Sequence, residues 1–190
     1  MIGNLTIEGG RVLLRDHEIG DFEAVHAWMS DGETMKYMDR GHTMTCEETF
    51  VRFAEFIASK QEKDRGWWPL ALVLRDIGNV VGSIHLGYRH RDFGKGEGEL
   101  GWFVRRDLWG QGFGTEGARL IVNYGFKELQ MDRISASCIS ENTGSERIMQ
   151  RIGMSKEAEY REEKLMLGKR VNRVHYAILR REWSESSNEK

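Results

Sequence analysis

The chain is short of several things, and each shortage narrows what it can do. Its 190 residues include one proline, Pro69, and two cysteines, Cys46 and Cys138. Two thiols cannot build a disulfide framework or a zinc site, and they read as small buried side chains rather than reactive groups. No apolar run approaches the length of about 18 residues that a membrane span needs. The opening Met1-Ile-Gly-Asn-Leu-Thr-Ile-Glu8 has neither the basic nor the apolar stretch of a secretory signal. An excess of one charge is also missing: 28 Lys and Arg stand against 30 Asp and Glu, and the basic residues are scattered. That leaves no nucleic-acid footprint. A reducing cytoplasm fits all of these absences. With 39% apolar and 31% charged residues, the composition suits one globular domain with a substantial core. The expected domain spans residues 1–183, with a polar tail over 184–190.

Glycine is not scarce. Asp107-Leu-Trp-Gly-Gln-Gly-Phe-Gly-Thr-Glu-Gly-Ala118 is a glycine-rich turn running into an amphipathic pattern, and Glu99 to Val104 before it reads as a strand. Strand, glycine turn and helix start together make an anion site, because the first-turn N–H groups lack intrahelical partners and the macrodipole adds positive charge. Gly110, Gly112 and Gly114 let the backbone approach a bulky phosphate. A pyrophosphate-bearing ligand is the expectation.

Two familiar phosphate loops fail here. No Gly-Lys-Ser/Thr triplet follows the glycines, so this is not an ATP-binding P-loop. Gly112-Phe-Gly-Thr-Glu-Gly117 matches the spacing of a dinucleotide fingerprint, with Glu141 downstream. The strand before it, however, ends too early and lacks the continuous apolar run of a doubly covered strand. Asp92-Phe-Gly94 copies a kinase tripeptide without the catalytic loop that tripeptide needs.

The remaining elements follow from period and caps. Arg11 to Arg15 reads as a strand, and Asp21 to Met29 as a helix with an acidic start. Thr45 with Glu48 is a capping box opening a second helix, whose expected apolar stripe is Phe50, Phe53, Ala54 and Ile57. Leu70–Leu74 and Val80–Tyr88 form a hairpin around Asp76-Ile-Gly-Asn79. The loop from Arg89 to Gly98 is charged and glycine-rich; it reads as a solvated tip or a contact for an anionic acceptor. A helix follows the glycine turn to about Gln130, with Ala118, Ile121, Val122, Gly125 and Leu129 on one face. Ile134–Ile139 is a strand, Ser145–Ile152 a short helix capped by Gly153, and Ala158–Leu167 and Val171–Leu179 a closing hairpin. The order implies an α/β chain with a central mixed sheet and helices on both faces.

That order, with those motifs, resembles the GNAT superfamily of acetyl-CoA-dependent N-acetyltransferases over nearly the whole chain, and within it the RimJ/RimL-like branch. The likeness rests on Arg11-Val-Leu-Leu-Arg15, Glu99-Leu-Gly-Trp102, Trp109-Gly-Gln-Gly-Phe-Gly-Thr-Glu-Gly117, Asn142-Thr-Gly-Ser145 with Ile152-Gly-Met154, and Tyr176 to Trp183. Gly117 stands where the branch has alanine, and Met154 where it has an aromatic residue.

The resemblance implies a mostly antiparallel sheet of about seven strands. It implies acetyl-CoA as cosubstrate, no metal, and an amine acceptor: a protein N-terminal α-amine or a small aminoacyl or antibiotic amine. Monomer and homodimer both fit. The resemblance also assigns roles. Phe103 and Val104 would flank the pantetheine arm, with the Val104 N–H polarising the thioester oxygen. Trp109, Gly110, Gln111, Gly112, Phe113, Gly114 and Thr115 would cradle the pyrophosphate, with Arg105 or Arg106 beside it. Asn142 would hold the pantetheine and Ser145 would protonate the leaving thiolate, although both also suit a helix N-terminus. Glu99 is the first candidate base and Glu141 the next; Glu97 lies further out, and His85 and His175 read as structural. Trp67 and Trp68 are the candidate aromatic platform for the acceptor. The alternative function is a GNAT module that binds acetyl-CoA without turnover, as a sensor or scaffold.

Overall fold

A computed structural model describes residues 4–38, 42–90, 96–166 and 168–183. Most of the loop tip at 91–95 and the tail at 184–190 therefore lie outside the described residues. Eight strands form one sheet: β1 (Thr6–Glu8), β2 (Val12–Asp16), β3 (Trp67–Leu74), β4 (Val80–His90), β5 (Glu97–Val104), β6 (Arg133–Ile139), β7 (Ser155–Met166) and β8 (Lys169–Leu179). Their spatial order is β1-β2-β3-β4-β5-β6-β8-β7. Every neighbouring pair is antiparallel except β5 with β6. The count is one more than expected because Thr6–Glu8 pairs with Glu8↔Leu13 through Thr6↔Arg15. Three residues carry too little pattern to mark a strand.

Helices cover both faces. On one lie α1 (Phe22–Met29), a one-turn α2 (Gly32–Met35) and α3 (Cys46–Ser59); on the other lie α4 (Phe113–Lys127) and α5 (Thr143–Arg151). Thr45 caps α3 as its sequence indicates: Thr45 Oγ1 accepts from the Glu48 N–H at 3.2 Å, and Glu48 Oε2 accepts from the Thr45 N–H at 2.9 Å. Such a cap contributes about 1 kcal/mol. The buried stripe of α3 differs from expectation. It is Thr49, Phe53 and Phe56, while Phe50 is 64% exposed. Phe56 wins because its ring stacks on His17 at 5.1 Å and meets Trp67 edge-on at 5.5 Å. Both stripes fit a 3.6 period; tertiary partners decide between them.

The larger core lies between α4 and the sheet, with Leu70, Leu72, Ile84, Leu86, Ile121 and Phe126 fully buried. Gly117 makes this packing possible. A Cβ there would lie 2.8 Å from Leu72 Cδ1 and 3.1 Å from Ile84 Cγ1. The glycine that weakens the helix by about 1 kcal/mol in isolation lets α4 sit down on the sheet. Met154, in place of an aromatic residue, is buried in the same core.

Candidate active site

The one parallel pair is where the sheet opens. β5 and β6 are registered only through Glu97↔Arg133, Gly98↔Ile134 and Glu99↔Ser135. Beyond Glu99 each continues with its other neighbour, β5 against β4 and β6 against β8. The Arg105 N–H donates to the Val81 carbonyl at 2.8 Å. In an antiparallel ladder hydrogen-bonded and non-bonded pairs alternate. Phe103 and Gly101 therefore also bond to β4, and the N–H and C=O groups of Trp102 and Val104 face the open seam. The Val104 carbonyl is taken by the Trp109 indole, whose Nε1–H donates at 2.7 Å. The Val104 N–H is left facing the seam.

The glycine turn stands at the end of this seam. Gly112 is the N-cap of α4 with φ +87°, and Gly110 has φ +76°. Both values are costly for any residue with a Cβ. No side chain caps the helix, so its first-turn N–H groups are free for an anion. A cavity of about 470 Å³ lies against this cradle, lined by Phe103, Val104, Trp109, Gly110, Gly112, Gly114, Thr115, Glu141, Asn142 and Ser145 among others.

Three residues expected at the phosphates point elsewhere. Arg105 holds Asp107 through two hydrogen bonds of 2.6 and 2.9 Å. The Gln111 amide donates to the Asp107 carbonyl at 3.1 Å, and Phe113 turns its ring under the Arg11 guanidinium, 4.7 Å away. Nor does Arg106 line the cavity; the guanidinium side chains on its wall are Arg147 and Arg151. Arg11 braces the turn from outside, donating to the Gln111 carbonyl at 3.1 Å and pairing with Glu116 at 3.0 Å. Glu116 also accepts from the N–H groups of Arg11 and Val12. These contacts pull its pKa down, against the opposing effect of burial. Glu116 of the loop motif thus ties the start of β2 to α4.

A second cavity, about 440 Å³, opens on the other side of the seam and is lined by Trp67, His85, Glu99, Gly101, Cys138 and Arg173 among others. The two cavities share Tyr37, Met38, Trp102, Asn142 and Ser145. At their junction the Trp102 Nε1–H donates to Ser145 Oγ at 3.2 Å. Asn142 Oδ1 accepts from the Ser145 N–H at 3.1 Å and so caps α5. Because the Ser145 oxygen already accepts from an indole, its own O–H proton is free to be donated.

The other candidates separate clearly. Glu99 lines the second cavity with an exposed side chain. Glu97 is engaged by Arg133 at 3.1 Å, and Glu141 lies on the first cavity instead. His175 packs on Tyr160 at 4.9 Å and faces Glu163 at 3.8 Å. Trp67 and Trp68 are neighbours in a strand, so they point to opposite faces. Trp67 reaches the cavity, whereas Trp68 is 5% exposed in the main core against Tyr88 and Tyr124. The Cys138 thiol is pushed up to about 12 by burial, which keeps it protonated. Among the described residues no cluster of His, Cys, Asp or Glu could hold a metal ion, and no helix is long and apolar enough to cross a membrane.

Sequence reading missed the Trp102–Ser145 bond, the Arg11 brace, and the walls supplied by Tyr37, Met38, Arg147, Arg151 and Arg173. Only the first had a signal. Trp102 sits in the Glu-x-Gly-aromatic strand motif, and an indole N–H that close to a site needs an acceptor.

Comparison with known proteins gives the class. The family model for the acetyltransferase (GNAT) domain matches residues 11–155. The chain belongs to the GNAT family and is an N-acetyltransferase. It is 33% identical over 174 residues to YnaD of Bacillus subtilis (strain 168), named an uncharacterized N-acetyltransferase, covering 92% of this chain and 96% of that one. A GNAT-family acetyltransferase from Bacillus anthracis superposes with TM-score 0.78 at 31% identity, over 93% of this chain and 99% of the other. A spermidine N-acetyltransferase from Vibrio cholerae, solved with CoA and spermine, gives TM-score 0.77 at 19% identity, over 93% and 99% of the two chains. At that identity the likeness concerns the fold alone.

Proposed function

We propose that the protein transfers an acetyl group from acetyl-CoA to one compact primary amine by direct attack on the thioester. The amine is an N-terminal α-amine of a protein or a small aminoacyl or antibiotic amine. The observation that carries this reading is the meeting of two cavities at Trp102 and Ser145. One is walled by an uncapped helix N-terminus and backbone N–H groups, the other by aromatic rings and a carboxylate. The positive-φ glycine turn fits a pyrophosphate, and the open N–H groups of Trp102 and Val104 fit an amide-bearing arm.

Bound acetyl-CoA supplies an activated acyl carbon. The chain does the rest. The seam N–H groups polarise the thioester oxygen, the second cavity aligns the amine, Glu99 receives its proton directly or through water, and Ser145 gives a proton to the departing thiolate. An α-amine with pKa near 8 is about one-tenth neutral at pH 7, far better placed than a lysine amine. Glu99 is the only carboxylate on the described wall of the second cavity, and Arg173 stands there too. One ammonium is accommodated at Glu99; the further charges of a polyamine find no second carboxylate on that described wall, where Arg173 is already paired with Glu163 at 2.9 Å. Membership of the RimJ/RimL-like branch, which the loop and strand motifs support, is part of the proposal, as is a cytoplasmic enzyme acting as monomer or homodimer on an amine rather than on nucleic acid or membrane.

A thiol-release assay over peptides, amino-acid amides, polyamines and amine antibiotics tests this. The expected result is turnover of α-amines well ahead of spermidine. Efficient spermidine turnover with no α-amine activity would overturn the acceptor assignment. Tight acetyl-CoA binding with no turnover of any amine would favour the sensor or scaffold.

A further inference from the structure

The described histidines differ in how their rings are held. His17 Nε2 lies 3.3 Å from Ser83 Oγ, His26 Nδ1 lies 2.9 Å from Thr49 Oγ1, and His175 faces Glu163 at 3.8 Å. His85 has no such anchor. Its Nδ1 is buried with no hydrogen-bond partner among the described residues, and its ring lines the second cavity. A buried polar atom left unsatisfied destabilises the fold, so an imidazole held this way is poorly explained by structure alone.

Its position is specific. The β4–β5 register sets His85 opposite Gly101, and a Cβ at residue 101 would collide with His85 Nε2. The ring therefore lies across the β5 backbone at a residue with no side chain. Trp102, next along, turns its N–H into the open seam and its indole to Ser145. Trp67 and Phe103 flank the imidazole at 6.4 and 6.1 Å. Among the described residues only His85 joins a buried, unpartnered Nδ1 to an Nε2 that sits over a glycine, on the wall of a cavity that also reaches Ser145.

We infer that His85 is an acceptor-binding residue: with the neutral ring's proton on the buried Nδ1, the other nitrogen, Nε2, takes a hydrogen bond from the N–H of the incoming amine and so aims the amine lone pair at the thioester carbon. The role requires an uncharged ring, since an imidazolium has only donors to offer and repels an amine. Burial, with the charge of Arg52 stacked on Trp67 at 4.9 Å and the nearby His17, pushes the His85 pKa down to about 4. The ring is neutral at pH 7 and too weak a base to hold the amine's proton, which leaves that to Glu99. The other charged groups on the described cavity wall are Glu99 and Arg173, the latter paired with Glu163 at 2.9 Å. The inference rests on the acetyl-transfer reading above.

The test uses the full chain with acetyl-CoA and L-phenylalaninamide as the probe amine. For His85→Leu the expected result is a rise in amine KM and a fall in kcat, together about ten-fold in kcat/KM for one lost hydrogen bond, with acetyl-CoA affinity by calorimetry unchanged. His85→Gln, which keeps an acceptor atom, should recover most of the loss. Gly101→Ala, which displaces the ring without removing it, should resemble His85→Leu. Unchanged amine kinetics in His85→Leu would overturn the proposal. A parallel loss of acetyl-CoA affinity, or a His85→Gln variant as poor as His85→Leu, would reduce His85 to packing and overturn it too. A wild-type protein that acetylates no amine sinks the acetyl-transfer reading itself and this one with it.

Discussion

The two cavities that meet at Ser145 are made of different materials. The side proposed for acetyl-CoA, the donor flank, is backbone: the glycine turn, the first turn of α4, and the seam N–H groups of Trp102 and Val104, nearly all within one continuous stretch of chain. The side proposed for the amine, the acceptor flank, is side chain: Trp67 from β3, His85 from β4, Glu99 from β5, Cys138 from β6 and Arg173 from β8, with Tyr37 beyond α2. Backbone chemistry is generic and tolerates changes of side chain but no change of φ. Side-chain chemistry is local and can be altered one residue at a time. The two flanks should therefore fail in different ways.

The largest effect is expected on the donor flank. Gly112→Val places a branched residue at φ +87°, beside Arg11 Nη2 at 3.2 Å from the new Cβ, with about 1–3 kcal/mol of strain. Acetyl-CoA affinity by calorimetry should fall about 10²-fold or more, while circular dichroism still reports a folded chain. Retained affinity would mean that the phosphates rest elsewhere. Ser145→Ala, at the junction, should lower kcat by about 10²-fold and leave acetyl-CoA affinity within about two-fold. An equal loss in both would make Ser145 a part of the cradle rather than a proton donor.

The tryptophan pair separates the acceptor flank from the core. Trp67→Ala should raise amine KM by about ten-fold with little change in kcat. Trp68→Ala should cost about 3–5 kcal/mol of stability by thermal or denaturant melts and leave amine KM unaltered. Similar kinetics in both variants would show that the strand does not divide them as described.

The most gradual effect is on stability against pH. Burial lowers the folded pKa of both His17 and His85, the latter to about 4. Below the unfolded value near 6.5 the unfolded chain takes up protons that the folded chain refuses. Stability is therefore full above about pH 6.5 and declines as pH falls toward 4. For His85 the decline is on the order of 3 kcal/mol at most. Hydrogen bonds from Arg15 and His17, which outweigh burial, lower the Asp21 pKa, so its contribution is lost below the ordinary carboxylate range. His85→Gln should flatten the upper part of this decline. The residues lining the donor cavity include no histidine, so acetyl-CoA affinity should not follow the same curve.

The same contrast explains what could be read in advance. Strand–turn–helix order, the Thr45–Glu48 box, the glycine turn, Gly153 at the end of α5 and the closing hairpin all depend on residues close in sequence, and they stand as the sequence indicates. Gly117 needed Leu72 and Ile84 to make sense of it. Phe50 and Phe56 needed His17 and Trp67 to choose between them. Arg105 looked placed for a phosphate until Asp107, two residues on, proved to hold it. Charge at a strand end carries no direction; only a partner supplies one. The wall at Tyr37, Arg147 and Arg173 had no local signature at all.

The open seam between β5 and β6 has one further consequence. Unpaired strand edges invite other chains to pair with them, and proteins blunt their outer edges against this. Here an unpaired run lies inside the sheet, with β6 beyond it and α4 and α5 over one face. A neighbouring protein's strand would have to bring side chains on both its faces between these elements, whereas a linear molecule with amide groups brings none. The fold thus keeps a sticky edge in its middle, away from the outer edges where chains meet.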